Sequence, residues 1–377
     1  MNPVVEKVAA WSADGKRAAL ATVVKVERSG PLGPGTMMAV NEDGQVVGSV
    51  SGGCVEPAVF EECMAAIEGG GPKLVTYGIS DDEAFGVGLT CGGIIHIFIE
   101  PVADDGQAEI LHRALAEQSP IAVATVIHTA EDSGIAPGGR LLVTPDAHEG
   151  GLDDDELERA VADGARGMLE GGQTGQRHYG PRGQRRMEDV TVFVNSFAPP
   201  PKMYVFGAID FAGAVAKMGK FMGYRITVCD ARPVFATRER FPSADEVVVS
   251  WPDDFLRTAE VDSRTVICVL THDPKFDVPV LKAALDTDAG YIGAMGSRRT
   301  HDDRTARLRE EGVTAEQLAR IASPVGLDLG SRTPEETAVA IAAEIIALRT
   351  GHEGGRLAER SGPIHDVGFE EVRGGGS

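Results

Sequence analysis

Three consecutive prolines, Pro199-Pro200-Pro201, interrupt the chain, and neither a helix nor a central strand can run through them because none donates a backbone hydrogen bond. Beyond them apolar and helical runs alternate. Strands are predicted over 203–206, 225–229, 246–249, 265–270 and 291–294, with helices over 211–222 and 278–285 between them. This alternation predicts a doubly wound parallel sheet, a Rossmann-like α/β domain. Thr333, Pro334 and Glu336 carry the signature of a capped helix start and predict a last helix to 348. Residues 351–377 are glycine-rich without periodicity and read as a flexible tail. The predicted domains are therefore 1–198, 199–350 and 351–377.

The front half reads as mixed α/β. A helix over 3–13 precedes a buried strand over 18–26, and a hairpin over 36–51 turns at Asn41-Glu42-Asp43-Gly44. The hairpin delivers Gly48-Ser49-Val50-Ser51-Gly52-Gly53-Cys54-Val55-Glu56 to a helix over 55–68. A second cysteine stands in Gly88-Leu89-Thr90-Cys91-Gly92-Gly93, just ahead of a strand over 93–100. Paired glycines let the backbone take positive φ, and successive N–H groups there can converge into an anion-binding concavity. Cys54 is expected near the positive end of a helix dipole, which favours thiolate. A purely structural reading, two small apolar thiols beside two turns, stays open. Neither cysteine belongs to a CxxC or HExxH pattern, so no closed zinc site is expected. Residues 171–188 are rich in glycine and arginine and read as a solvated loop.

Composition narrows the class of partner. With 57 acidic against 36 basic residues the net charge is −21, a field that repels nucleic acid and anionic membrane surfaces. No apolar run is long enough for a membrane span and the N-terminus lacks an apolar signal segment, so a cytoplasmic protein with reduced thiols is expected.

Where the strand over 203–206 meets the next helix, Gly207-Ala208-Ile209-Asp210-Phe211-Ala212 forms an incomplete dinucleotide fingerprint, and Asp230 ends the following strand where a ribose hydroxyl would be bound. Ile209 replaces the second glycine, the one that lets a pyrophosphate approach the backbone, so NAD(P) use is in doubt. Further along, Gly296-Ser297-Arg298-Arg299 place a hydroxyl and two guanidinium groups at a strand-to-helix turn, suited to an anion. His272, in Thr271-His272-Asp273-Pro274, ends another strand at the same edge. Solvated arginines and a structural histidine are the alternative for these residues.

Taken together, Ala21-Thr22-Val23-Val24, Gly48 to Glu56, Gly88 to Gly93, Thr271 to Pro274, Tyr291 to His301 and Pro324 to Glu336 resemble the XdhC/CoxI family, the accessory proteins of molybdenum hydroxylases such as xanthine dehydrogenase and carbon monoxide dehydrogenase. The resemblance runs from about residue 18 to about 348. It implies an N-terminal family domain followed by a Rossmann-like domain. It also implies a cofactor chaperone that binds molybdenum cofactor (molybdopterin), supports its sulfuration and hands it to a hydroxylase apoenzyme, with a cysteine desulfurase as sulfur donor and a homodimer as the assembly. On this reading Cys54 and Cys91 face the metal or the sulfur, Glu56 polarises the site, and Gly52, Gly53, Gly92 and Gly93 line it. Gly207, Asp230, His272, Gly296, Ser297, Arg298 and Arg299 contribute to cofactor binding. The chain departs from the family's Gly-Ala-Gly-His at Gly207-Ala208-Ile209-Asp210. Two other readings remain: an NAD(P)-dependent oxidoreductase using the C-terminal domain, and a redox or sulfur-carrying protein whose two thiols pair transiently.

Overall fold

A computed structural model describes residues 2–27, 32–78, 93–185 and 187–359. The chain divides into a first compact unit ending at Pro199 and a second beginning at Pro200.

The first unit contains one supersecondary pattern twice. Its first copy runs α1 (Pro3–Ala13), β1 (Ala18–Glu27), β2 (Met37–Asn41), β3 (Val46–Gly48), α2 (Glu56–Ile67), β4 (Lys73–Tyr77) and β5 (Ile94–Pro101). The second runs α3 (Gln107–Ala116), β6 (Ile121–Thr129), β7 (Arg140–Val143), β8 (His148–Gly151), α4 (Asp155–Glu170), β9 (Gly175–Tyr179) and β10 (Val190–Phe197). The sheet orders are β3-β2-β1-β5-β4 and β8-β7-β6-β10-β9, the same order copied. The registers match as well. Thr22 lies opposite Met37 and Phe98 in the first sheet, as Thr125 lies opposite Arg140 and Phe193 in the second. Even the bulges coincide, at Val24 in β1 and Ile127 in β6.

From β3 to β4 the two copies keep one displacement, Gly48 to Gly150 and Tyr77 to Tyr179. Gly48 and Gly150 show why some positions are shared. Both have positive φ, and a Cβ on either would lie 2.3 Å from a carbonyl oxygen of the neighbouring strand, that of Met37 or of Arg140. Helices α2 and α4 cover one face of each sheet through Val55, Val59 and Cys63, and through Leu157, Val161 and Ala165, all fully buried. The two sheets meet at Val24, Phe98, Ile127 and Phe193. Contacts across this junction are reciprocal, as at a twofold axis: Glu100 of the first copy pairs with Arg140 of the second, while their counterparts Asn195 and Met37 meet at 3.8 Å.

The second unit runs β11 (Lys202–Phe206), α5 (Asp210–Phe221), β12 (Arg225–Asp230), β13 (Glu246–Val249), α6 (Pro252–Thr258), β14 (Val266–Val269), α7 (Pro274–Leu285), β15 (Tyr291–Ala294), α8 (Arg298–Glu310), α9 (Ala315–Ala319), β16 (Ile321–Ala322) and α10 (Pro334–Thr350). Its six strands are parallel in the order β13-β12-β11-β14-β15-β16, which is the doubly wound order of dinucleotide-binding folds. Buried clusters cover both faces of the sheet, one against α5 and α10 and the other against α7 and α8.

Two local expectations are corrected. The hairpin's second strand ends at Gly48 rather than at Ser51, because the following N–H groups turn onto a side chain (below). Residues 171–188 are not wholly loop: Gly175–Tyr179 forms the edge strand β9, with Arg177 and His178 exposed and Tyr179 buried. Helix α8 starts at Arg298 with Ser297 as its N-cap, its whole first turn being polar and solvent-facing. The capped start at Thr333 is as read, with Thr333 and Glu336 closing a reciprocal pair of bonds.

Candidate functional site

The loop from β3 to α2 is built around the carboxylate of Glu56, the first residue of α2. Its Oε1 accepts the Ser49 hydroxyl at 2.6 Å and the N–H groups of Val50, Ser51 and Gly52 at 3.2, 2.8 and 3.0 Å. Its Oε2 accepts the Ser51 hydroxyl at 2.6 Å and the Gly53 N–H at 2.8 Å. Gly52 and Gly53 adopt φ of +79° and +118°, a path that turns successive N–H groups inward, and a Cβ on either would meet nothing within 4 Å. The glycines thus serve the backbone path and leave the outer side of the loop open. The predicted anion concavity exists, and the chain's own Glu56 fills it. Partial burial opposes ionisation of this carboxyl, but the bonds from Ser49 and Ser51 and from the backbone outweigh it and hold the pKa down to about 2.

Cys54 lies one residue ahead of Val55, the N-cap of α2, and is partly exposed. The Ser51 hydroxyl oxygen accepts the Cys54 and Val55 N–H groups at 3.0 and 3.1 Å, so Ser51 ties the cysteine's backbone to Glu56. Below, Cys54 packs on the buried cluster beneath α2. Cys63, Cys229 and Cys268 are buried, and burial pushes each thiol up to about 12. Among the described cysteines, Cys54 is the one with access to solvent.

The second copy is an internal control for this loop. At the position of Glu56 stands Glu158, which accepts the Leu152 N–H at 3.2 Å, the same distance at which Glu56 accepts the Val50 N–H. Hydrophobic positions are kept too: Val50, Val55 and Val59 correspond to Leu152, Leu157 and Val161. What is not kept is Ser51-Gly52-Gly53-Cys54, replaced by Asp153-Asp154-Asp155-Glu156. Both copies keep the glutamate, and the scaffold forms without the cysteine.

Cys91 and Gly92 lie outside the described residues, and Gly93 is buried immediately before β5. β4 ends at Tyr77 and β5 starts at Ile94 toward the same end of the first sheet as β3 ends, but β3 and β4 are its outermost strands on opposite sides. Among the described residues, no group of three or more His, Cys, Asp or Glu side chains is placed to hold a metal ion.

In the second unit the remaining candidates lie at the carboxyl ends of the parallel strands. Gly207 has φ of +105°, and a Cβ there would lie 3.0 Å from the Thr271 backbone nitrogen, so β11 and β14 approach closely at this turn. Asp230 is buried and its oxygens are engaged: Oδ2 accepts the Ala208 N–H at 2.7 Å and the Arg232 guanidinium at 2.7 Å, while Oδ1 accepts the Arg232 N–H and Nε–H, each at 2.9 Å. Burial raises the Asp230 pKa and the Arg232 and Ala208 bonds more than reverse it, leaving it lowered. Asp210 is exposed at the first position of α5, 3.4 Å from Arg240. His272 is exposed. Ser297 caps α8 by accepting the Thr300 N–H at 3.2 Å, Gly296 precedes it with φ of +152°, and Arg298 and Arg299 are exposed on the first turn.

Sequence reasoning passed over two arginines here. Arg232 follows Asp230 by two residues, a spacing that could have signalled the pair. Arg304 is buried, donates to the Met295 carbonyl at 2.7 Å and to Asp277 at 2.9 Å, and so holds the turn after β15 against α7. Asp277 in turn accepts the Thr271 hydroxyl, one residue from His272.

A two-copy mixed α/β unit bearing a solvent-accessible cysteine loop, followed by a doubly wound parallel unit, defines the class of chain to which this one is compared. Residues 203–345 match the XdhC Rossmann domain, and residues 11–78 and 114–180, one segment in each copy, match the XdhC and CoxI family. The chain belongs to the XdhC and CoxI family. It is 29% identical over 339 residues to a probable xanthine dehydrogenase subunit of Bacillus subtilis (strain 168), covering 89% of this chain and 94% of that protein. It is 27% identical over 342 residues to the molybdenum cofactor insertion chaperone PaoD of Escherichia coli (strain K12), covering 90% and 86%. A crystal structure of a xanthine dehydrogenase from Bacillus halodurans superposes with a TM-score of 0.62 at 25% identity, covering 94% of this chain and 97% of that one. Among the described residues no helix is long and apolar enough to cross a membrane.

Proposed function

We propose that this chain is a chaperone for molybdenum cofactor: it holds the cofactor as cargo, shelters it while its terminal sulfido ligand is installed, and passes it to a molybdenum hydroxylase apoenzyme. The observation that carries this reading is the difference between the two copies. One scaffold is built twice, and the first copy alone carries Ser51-Gly52-Gly53-Cys54 at the head of its helix. A thiol is a soft donor suited to a soft metal centre or to sulfur. Open space over Gly52 and Gly53 lets a bulky ligand approach the backbone beside it.

Within this reading Glu56 shapes the loop, since both of its oxygens are spent on loop donors. Cys91, outside the described residues, is assigned as a second sulfur ligand. In the second unit, taken by itself, Ser297, Arg298 and Arg299 offer hydrogen bonding and positive charge to an anion such as a phosphate. A cysteine desulfurase is the sulfur donor and a homodimer the working assembly. The PaoD relationship supports the cargo, and the xanthine dehydrogenase relatives support the class of recipient.

The test is anaerobic loading of the purified chain with molybdenum cofactor followed by gel filtration. Stoichiometric retention by the wild type, weakened in Cys54→Ala and in Cys91→Ala, is expected. Equal retention by both variants would refute the cysteine assignment, and no retention by the wild type would refute the chaperone reading.

A further inference from the structure

The last long helix of the second unit, α10, is apolar on two opposite sides. Ala338, Ile341 and Ile345 face inward, buried in the cluster that also takes in α5. On the other side Val339 and Ile346 are 46% and 43% exposed, with the half-buried Ala343 between them. A helix with apolar side chains all round is normally covered on every side.

The outward stripe has a period. Glu336, Val339, Ala343, Ile346 and Thr350 follow one another at alternating steps of three and four residues, which is the seam by which one helix packs along another in a coiled coil. Charge then sets the direction of the second helix. Glu335 is exposed in the first turn and Arg349 in the last, while Glu336 is held by its own cap through the Arg332 and Thr333 N–H groups. Arg349 also reaches Tyr224, and a guanidinium has donors for both. A second copy of α10 laid parallel sets glutamate beside glutamate and arginine beside arginine. Laid antiparallel, it sets Glu335 of each copy beside Arg349 of the other. In that register Val339 packs on the partner's Ala343, Ile346 closes over the helix start, and the small side chain of Ala342 lies at the twofold axis, where the two helices come closest.

We propose that α10 is the surface through which this chain pairs with a second copy of itself, antiparallel across a twofold axis, with the apolar stripe supplying affinity and two Glu335–Arg349 pairs fixing direction. This rests on the homodimer proposed above for stoichiometry alone; the face, the direction and the ion pairs come from α10. The net charge of −21 opposes any dimer at long range, but at 0.15 M salt it is screened beyond about 8 Å.

The test is sedimentation of the full chain at 0.15 M salt across a concentration series, with circular dichroism to confirm folding. The wild type is expected to dimerise. Val339→Glu with Ile346→Glu should weaken the dimer at least about a hundredfold, because each copy would bury unpaired carboxylates. Glu335→Arg alone and Arg349→Glu alone should each weaken it about tenfold, and the two together should restore it, since exchanging both signs rebuilds both pairs. Mixing the two single variants should give a heterodimer tighter than either homodimer. An undiminished dimer in the folded Val339→Glu, Ile346→Glu variant would overturn this face and leave the homodimer standing, whereas a monomeric wild type would overturn both. A monomer that dimerises once residues 360–377 are removed would give the face to the chain's own C-terminal segment and overturn the proposal. If the Val339→Glu, Ile346→Glu variant fails to fold, the charge exchange decides alone, and failure of the double exchange to restore the dimer overturns the antiparallel pairing.

Discussion

Ser51 is held twice by Glu56, through its N–H at 2.8 Å to one carboxylate oxygen and through its hydroxyl at 2.6 Å to the other, and the same hydroxyl oxygen accepts the N–H of Cys54. The position of the thiol is thereby referred to the helix start through one serine. Loss of Glu56 should act on the cysteine loop before it acts on the rest of the fold.

Glu56→Gln tests this through pH. The native carboxyl is depressed from its ordinary 4.5 to about 2, so its contribution to stability is fully present above pH 4.5 and is lost as pH falls toward 2. Denaturant unfolding should show the wild type more stable than Glu56→Gln at pH 7, with the gap closing between pH 4.5 and 2. At neutral pH Glu56→Ala should cost about 1–3 kcal/mol, because several loop donors lose their acceptor. A gap independent of pH would show that the charge plays no part.

Alkylation reads the thiols separately. In a Cys91→Ala background at pH 8, iodoacetamide should add one label per chain, at Cys54, because burial holds the Cys63, Cys229 and Cys268 thiols protonated at about 12 and out of reach. Intact-mass spectrometry gives the count. Adding Cys54→Ala should reduce it to none.

Transplanting the second loop into the first copy separates scaffold from function. The variant Ser51→Asp, Gly52→Asp, Gly53→Asp, Cys54→Glu should keep a native-like circular dichroism with its helix starting earlier, because the second copy places that sequence in the cap and first turn of α4. Retention of molybdenum cofactor should be abolished. A folded variant that still retains it would move the site elsewhere.

Arg304→Leu should be among the most damaging single changes in the second unit. It leaves the Asp277 carboxylate buried without its cation, at a cost of about 3–5 kcal/mol. Burial already raises the Asp277 pKa against the opposing pull of Arg304, so the variant's stability should recover in part as pH falls and Asp277 takes up a proton. Unfolding curves at pH 7 and pH 5 check the sign.

The second unit was largely legible from sequence because its strands are apolar runs separated by capped helices, as at Thr333 and Pro334. The duplication in the first unit was not. Its second copy has lost the Ser-Gly-Gly-Cys segment, and β9 is a polar edge strand with no alternation to read. The identities that survive in both, such as Thr22 and Thr125, Gly48 and Gly150, Glu56 and Glu158, Tyr77 and Tyr179, are too scattered to stand out without the shared register. The converging N–H groups were foreseeable from Gly52 and Gly53. Which anion they bind was not, because a ligand and a side chain four residues on satisfy the same donors.

A scaffold built twice carries its own comparison. The second copy stands on aspartates where the first has Ser-Gly-Gly-Cys, so this architecture has no need of the thiol, and the residues around Cys54 are free to answer to something other than folding.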